Sequence, residues 1–305
     1  MEQTLMDERT TDQADLGYTA TRILPAQEPE MQPVEPAGCS TCSGGGASEP
    51  PSFVYAIGRI EPRFPRLSVE KEFAQITGRS DTAGLTDGEV LHQVLSQPQN
   101  RYLLKQLCWV FTIEGLETYL LHPRDSSDLD LLLDALRPAP NKTDIDVVVG
   151  LRGPIAPAGF CNGLMLPIVM FTQIYSFDVT SLVKAIPRPK EIPEKEFKKT
   201  AEEVFARIMQ LTDNAGNTDE HRALNYLVMR YPTIYAKAAE EFAQDCSLTG
   251  VAVRPSPLSS TRNIVEAIFS YTDRKTDFTE KFCVRCDVTE EFPFLVTKLS
   301  PYYDR

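Results

Sequence analysis

Apolar positions recur along this chain with two periods, and the switches between them mark out its elements. After Pro50-Pro51, the run Phe53-Val54-Tyr55-Ala56-Ile57 is β-branched and aromatic, which predicts a strand. Ser68 as a cap, with Glu70 and Glu72 near the positive helix terminus, predicts a short helix, and a second is predicted over Asp87–Leu95. Residues 107–111 and 119–121 flank Glu114-Gly115 as a strand pair. Leu129, Leu132 and Leu136 then fall at helical spacing. Val147-Val148-Val149 reads as a buried strand. Residues 150–163 hold four glycines, two prolines and Cys161, which predicts a loop, and the run after it through Tyr175 predicts a strand broken at Pro167.

The centre is helical. Phe197, Ala201, Val204, Phe205 and Ile208 share one face of a helix expected over 194–211. Thr218 caps a second helix carrying Leu224, Leu227, Val228 and Tyr231, and Pro232 suits the first turn of a third with Tyr235, Ala239 and Phe242. From Leu248 the period becomes two. Runs at 264–271 and 278–288 around Asp273-Arg274-Lys275 predict a C-terminal β-hairpin. Strands, then helices, then strands without βαβ alternation predict an α+β fold of mostly antiparallel strands around a central group of helices.

Composition separates the first 52 residues from the rest. Nine acids there face only Arg9 and Arg22, which accounts for more than half of the formal net charge of −12. With six prolines, a Gly44-Gly45-Gly46 run and no apolar period, the segment 1–52 is expected to be a disordered acidic tail, leaving 53–305 as one domain. No stretch clusters Lys and Arg with aromatics, which argues against nucleic acid as a partner. Acids stand where a signal peptide needs basic residues, and the longest apolar run, 164–171, is far short of a membrane span. A cytoplasmic chain without membrane contact is expected. Seven cysteines, an odd number, then argue for free thiols or metal ligands.

The patterns with chemical content are two. Cys39 and Cys42, followed by the glycine run, form a CxxC that can grip one zinc ion, and Cys283 and Cys286 form a second. Together they predict one structural zinc site of four thiolates that fastens the tail, although strand parity puts Cys283 and Cys286 on opposite faces unless the strand bulges between them. Cys161 is an alternative ligand or a reactive thiol, while Cys108 and Cys246 read as packing residues. A site shared between two copies would also satisfy the first pair, so a homo-oligomer is among the expected partners. His92, His122 and His221 stand in no catalytic motif, and no phosphate loop, dinucleotide fingerprint or HExxH is present. The aspartates between Asp125 and Asp134 lack calcium-loop spacing and read as a solvated helix face.

Four segments resemble a known family: Ile60-Glu61-Pro62-Arg63-Phe64-Pro65, 109–117, Arg152-Gly153-Pro154-Ile155-Ala156 and 288–296. They are similar to the domain of unknown function at the C-termini of PatG and PatA, subtilisin-like proteases of cyanobactin maturation, from about Phe53 to Arg305. The resemblance implies a place in the maturation of ribosomally made peptides and brings no catalytic residues. Nothing here resembles the subtilase aspartate, histidine or serine motifs. An accessory, non-proteolytic module is therefore expected, engaging a precursor peptide or a partner maturation enzyme; a thiol-dependent peptide-modifying enzyme, or a zinc-stabilised interaction protein outside that pathway, is the alternative.

Overall fold

A computed structural model describes residues 52–78, 84–137, 141, 143–186, 188, 192–209 and 214–303. The acidic tail, save Ser52, lies outside the described residues. The fold is α+β, as expected, but its first half is a closed barrel. The elements are β1 (Phe53–Arg63), α1 (Leu67–Thr77), α2 (Asp87–Leu95), α3 (Tyr102–Gln106), β2 (Cys108–Ile113), β3 (Leu116–Pro123), α4 (Leu129–Ala135), β4 (Asp144–Ile155) and β5 (Pro167–Asp178). The strands close in the order β1-β2-β3-β5-β4, with all neighbours antiparallel except β3 and β5.

Closure depends on β1 changing partner. Its residues 53–58 pair with β4 and 59–63 with β2. At the handover stands Gly58, where a Cβ would lie 2.2 Å from the Thr112 carbonyl oxygen, so only glycine allows the strands to approach there. Beyond it, the Ile60 N–H, no longer facing β4, donates to the Asp146 carboxylate at 2.8 Å, and Ser176 Oγ donates to the other oxygen at 2.6 Å. Burial raises Asp146 above the usual carboxylate range, against the pull of these two bonds. Asp146 thus seals the seam where β1 leaves β4.

Alternation along the barrel strands feeds separate cores. Val54, Ala56, Trp109, Phe111, Tyr119, Val148 and Phe171 pack with Leu95, Leu103, Leu104 and Leu132 of the short helices. Tyr55, Ile57, Val147 and Val149 face the other way, toward α6 (Glu194–Met209), α7 (Asp219–Arg230) and α8 (Thr233–Ala243). Those three helices, reached through α5 (Val179–Ala185), also cover one face of a second sheet. It comprises β6 (Cys246–Pro255), β7 (Ile264–Asp273), β8 (Thr279–Asp287) and β9 (Phe294–Pro301) in sequential antiparallel order. The predicted hairpin is β7 and β8, extended by a strand on each side.

Three expectations need correction. Residues 150–155 belong to β4 rather than to a loop, because the strand continues past a bulge at Gly150 that its glycine and proline content obscures. Helix α1 begins at Leu67, with Arg66 rather than Ser68 at the cap position. Cys108 and Cys161 are joined in a disulfide with Cα atoms 5.8 Å apart, so these two are neither free thiols nor metal ligands. Fifty-three positions separate them in sequence, and only barrel closure brings the 156–163 loop against β2. No described helix is long and apolar enough to cross a membrane.

Candidate functional site

The outer face of the second sheet, opposite the helices, carries a charged rung. Register places Arg254 of β6 opposite Glu266 of β7, and Glu266 opposite Arg285 of β8. Their neighbours Val253, Val265, Val284 and Cys286 turn to the core. Directly opposed side chains on a sheet stand close enough to pair. Glu266 Oε1 accepts from Arg285 Nε at 2.8 Å and from Ser256 Oγ at 3.1 Å, and Oε2 accepts from Arg254 Nε at 3.4 Å.

The chain on either side of the sheet walls this rung in. After β6, the Ser256 N–H donates to the Ile264 carbonyl at 2.7 Å and turns the chain through Pro257 and Leu258. After β9, the Tyr302 N–H donates to the Lys281 carbonyl at 2.7 Å, and the Tyr302 hydroxyl hydrogen-bonds Arg254, whose guanidinium lies 5.5 Å from the tyrosine ring centre. The cleft between these walls has a volume of about 630 Å³. Glu266 at its floor is 2% exposed, whereas the side chains of Arg285 and Arg254 are 28% and 49% exposed. Burial alone would raise the Glu266 carboxyl; the bonds from Arg285 and Ser256 and the Arg285 charge outweigh it and hold the group below its ordinary value. Two positive charges, one of them neutralised by a carboxylate, make a cleft that presents net positive charge to solvent.

Behind the rung on the same face lies Cys283, 4% exposed and opposite Ile268. Burial pushes its thiol up, the Glu266 charge adds to that, and the two arginines oppose it. Further along, the buried carboxylate of Asp287 accepts from the Thr289 N–H at 2.9 Å and pairs with Arg262; despite burial these contacts hold it low.

Of the four cysteines expected to hold zinc, Cys39 and Cys42 lie outside the described residues. Cys286 sits in the core beneath the sheet, where burial pushes its thiol up to about 12, and Cys283 is on the opposite face. Bulges do occur here, between Cys283 and Arg285 and between Arg285 and Cys286, but against β9 only. The register of β8 with β7 is unbroken from 279 to 287, so the extra residues belong to β9 and β8 keeps its parity. Among the described residues, no group of three or more His, Cys, Asp or Glu is arranged to hold a metal ion. No histidine lines the cleft. His92 lies in α2, His122 Nδ1 is 2.9 Å from the Pro123 carbonyl oxygen, and the His221 N–H donates to the capping Thr218 hydroxyl.

Sequence reasoning missed the rung. One signal for it exists: Glu266 interrupts an otherwise apolar run from Ile264 to Phe269, and a carboxylate in a buried strand needs cationic partners nearby. Which arginines supply them depends on strand register.

Residues 191–302 match the profile of the family described as PatG C-terminal. In fold, the chain is similar to a solved structure titled PatG Domain of Unknown Function, with a TM-score of 0.67 at 20% identity, over 82% of this chain and 98% of that one. The resemblance read from the sequence is thereby borne out, and the residues that line the cleft, save Tyr303, lie within the family match. No curated protein matches the chain.

Proposed function

We propose that this protein is an accessory, non-proteolytic binding module in the maturation of ribosomally made, cyanobactin-like peptides, where it engages a precursor peptide or a partner maturation enzyme. The observation that carries the reading is the cleft floored by Arg254, Glu266 and Arg285 and open to solvent, whose one carboxylate is engaged by both arginines and by the Ser256 hydroxyl. The matched family supplies the pathway as context. The thiol-enzyme alternative loses support, because Cys161 is tied to Cys108 and burial holds both Cys283 and Cys286 as thiols rather than thiolates.

Co-purification of the full chain from its native host, followed by mass spectrometry, tests this. A precursor peptide or a biosynthetic enzyme is expected at stoichiometric amounts, and its recovery should fall with Arg254→Gln. Recovery of neither class would count against the module.

A further inference from the structure

We infer that the cleft between residues 256–258 and 301–303 is a receptor for a peptide carboxylate, with the guanidiniums of Arg285 and Arg254 as its anion-binding groups and Glu266 as their internal counter-ion. The inference rests on the binding-module reading and narrows it to one ligand group.

The exposures decide the sign of the ligand. Glu266 is almost sealed and already accepts from Arg285, Arg254 and Ser256, so it has little left to offer a cation. The two arginines that face it are partly open to solvent. Arg285 engages Glu266 through Nε alone, and its terminal nitrogens make no hydrogen bond to another described residue. A guanidinium fixed at one edge with its other donors open is pre-set for a planar two-oxygen acceptor. Arg254 is fixed as well, between Glu266 and the Tyr302 hydroxyl and against the Tyr302 ring. Side chains already ordered by protein contacts lose little entropy when an anion arrives.

The walls decide its character. Leu258 is 61% exposed and Tyr303 81% exposed at the mouth, with Pro257 and Pro301 beside them. An anion bearing an apolar body suits these walls better than a bare inorganic ion, because the apolar part removes that surface from water while the carboxylate pairs below. The C-terminal residue of a peptide with an apolar side chain has both parts within one residue.

A fluorescein-labelled pentapeptide ending in phenylalanine, compared as free acid and as C-terminal amide, tests the inference by anisotropy against the full chain. The free acid is expected to bind roughly tenfold or more tightly than the amide, the size of a charge-assisted pair. The preference should vanish in Arg254→Gln. It should also vanish in the double variant Glu266→Gln, Arg285→Gln, which leaves no buried carboxylate unpaired and so protects the fold. Equal binding of acid and amide, or a preference that survives in both variants, would overturn the carboxylate receptor while leaving the binding module standing. No binding of either peptide would overturn the receptor, and the module would then stand or fall on the co-purification.

Discussion

The carboxylates on the outer face of the second sheet show how one residue's surroundings set both its protonation and its share of stability. Glu266 and Asp287 are buried, and burial pushes a carboxyl up. Yet hydrogen bonds and arginine charges hold both below their ordinary values. In the unfolded chain they titrate near roughly 4.3 and 3.9. Because their folded values are lower, their contribution to stability is fully present above the unfolded values and is lost as pH falls through the folded ones. Asp146 runs the other way: its folded value is raised, so its contribution is lost as pH rises through that value. With Glu89, Asp178 and Asp273 also held low and Asp219 also held high, five lowered carboxylates against two raised ones predict a urea-unfolding midpoint that falls as the pH drops below about 4.5. The double variant Glu266→Gln, Arg285→Gln should fall less steeply. A midpoint that rises on acidification, or a double variant as acid-sensitive as the parent, would contradict this assignment.

At the scale of elements, α7 ties the barrel to the second sheet through side chains one turn apart. Arg222 donates to the Val288 carbonyl at 2.8 Å, beyond β8. Asn225, fully buried, donates from Nδ2 to the Tyr55 carbonyl of β1 at 2.8 Å and accepts from Asn214 Nδ2 at 2.7 Å. Just past the helix, the Tyr231 hydroxyl accepts from the Leu299 N–H of β9 at 2.9 Å, which satisfies a donor on an edge strand. Asn225→Ala would leave the Tyr55 carbonyl and the Asn214 amide without that partner in the core. The expected cost is about 2–3 kcal/mol, read from urea unfolding; a change under about 0.5 kcal/mol would mean that the network does not hold the layers together. Local pattern made α7 itself legible, since Thr218 caps it and Leu224, Leu227 and Val228 mark its buried face. The same pattern hides its role, because Asn225 looks like a polar lapse in an apolar stripe until β1 is placed beside it. The turn at Glu114-Gly115 was legible because glycine takes the positive φ found at Gly115 at little cost, a local property. The closed barrel, the parallel pairing of β3 with β5, the disulfide and the charged rung were not. Each joins residues far apart in sequence through register, which hydropathy period does not encode.

At the scale of the whole molecule, a zinc site would be a covalent-strength link between the Cys39 and Cys42 pair and β8. The proposal of one zinc ion held by Cys39, Cys42, Cys283 and Cys286 asks two neighbours on β8 to turn toward one point. In the fold their side chains leave opposite faces of the sheet. Cys286 packs beneath it with Val284 and Val288, and Cys283 lies behind the charged rung. Bringing both thiolates to one ion would break the β7 and β8 ladder over that stretch and draw Cys286 out of the core. It would also require deprotonating two thiols that burial holds as acids weaker than usual. Zinc binding at a four-thiolate site is strong enough to drive local refolding, so metal content is the deciding measurement. In full-length protein purified without a histidine tag, zinc near one per chain that disappears in Cys39→Ser or Cys42→Ser would establish the tail pair as ligands. The parity of β8 predicts that Cys286→Ser leaves this content unchanged. Loss of zinc in both Cys283→Ser and Cys286→Ser, with the fold otherwise intact, would show that β8 gives up its register to bind the ion. Absence of zinc from the parent chain would end the proposal.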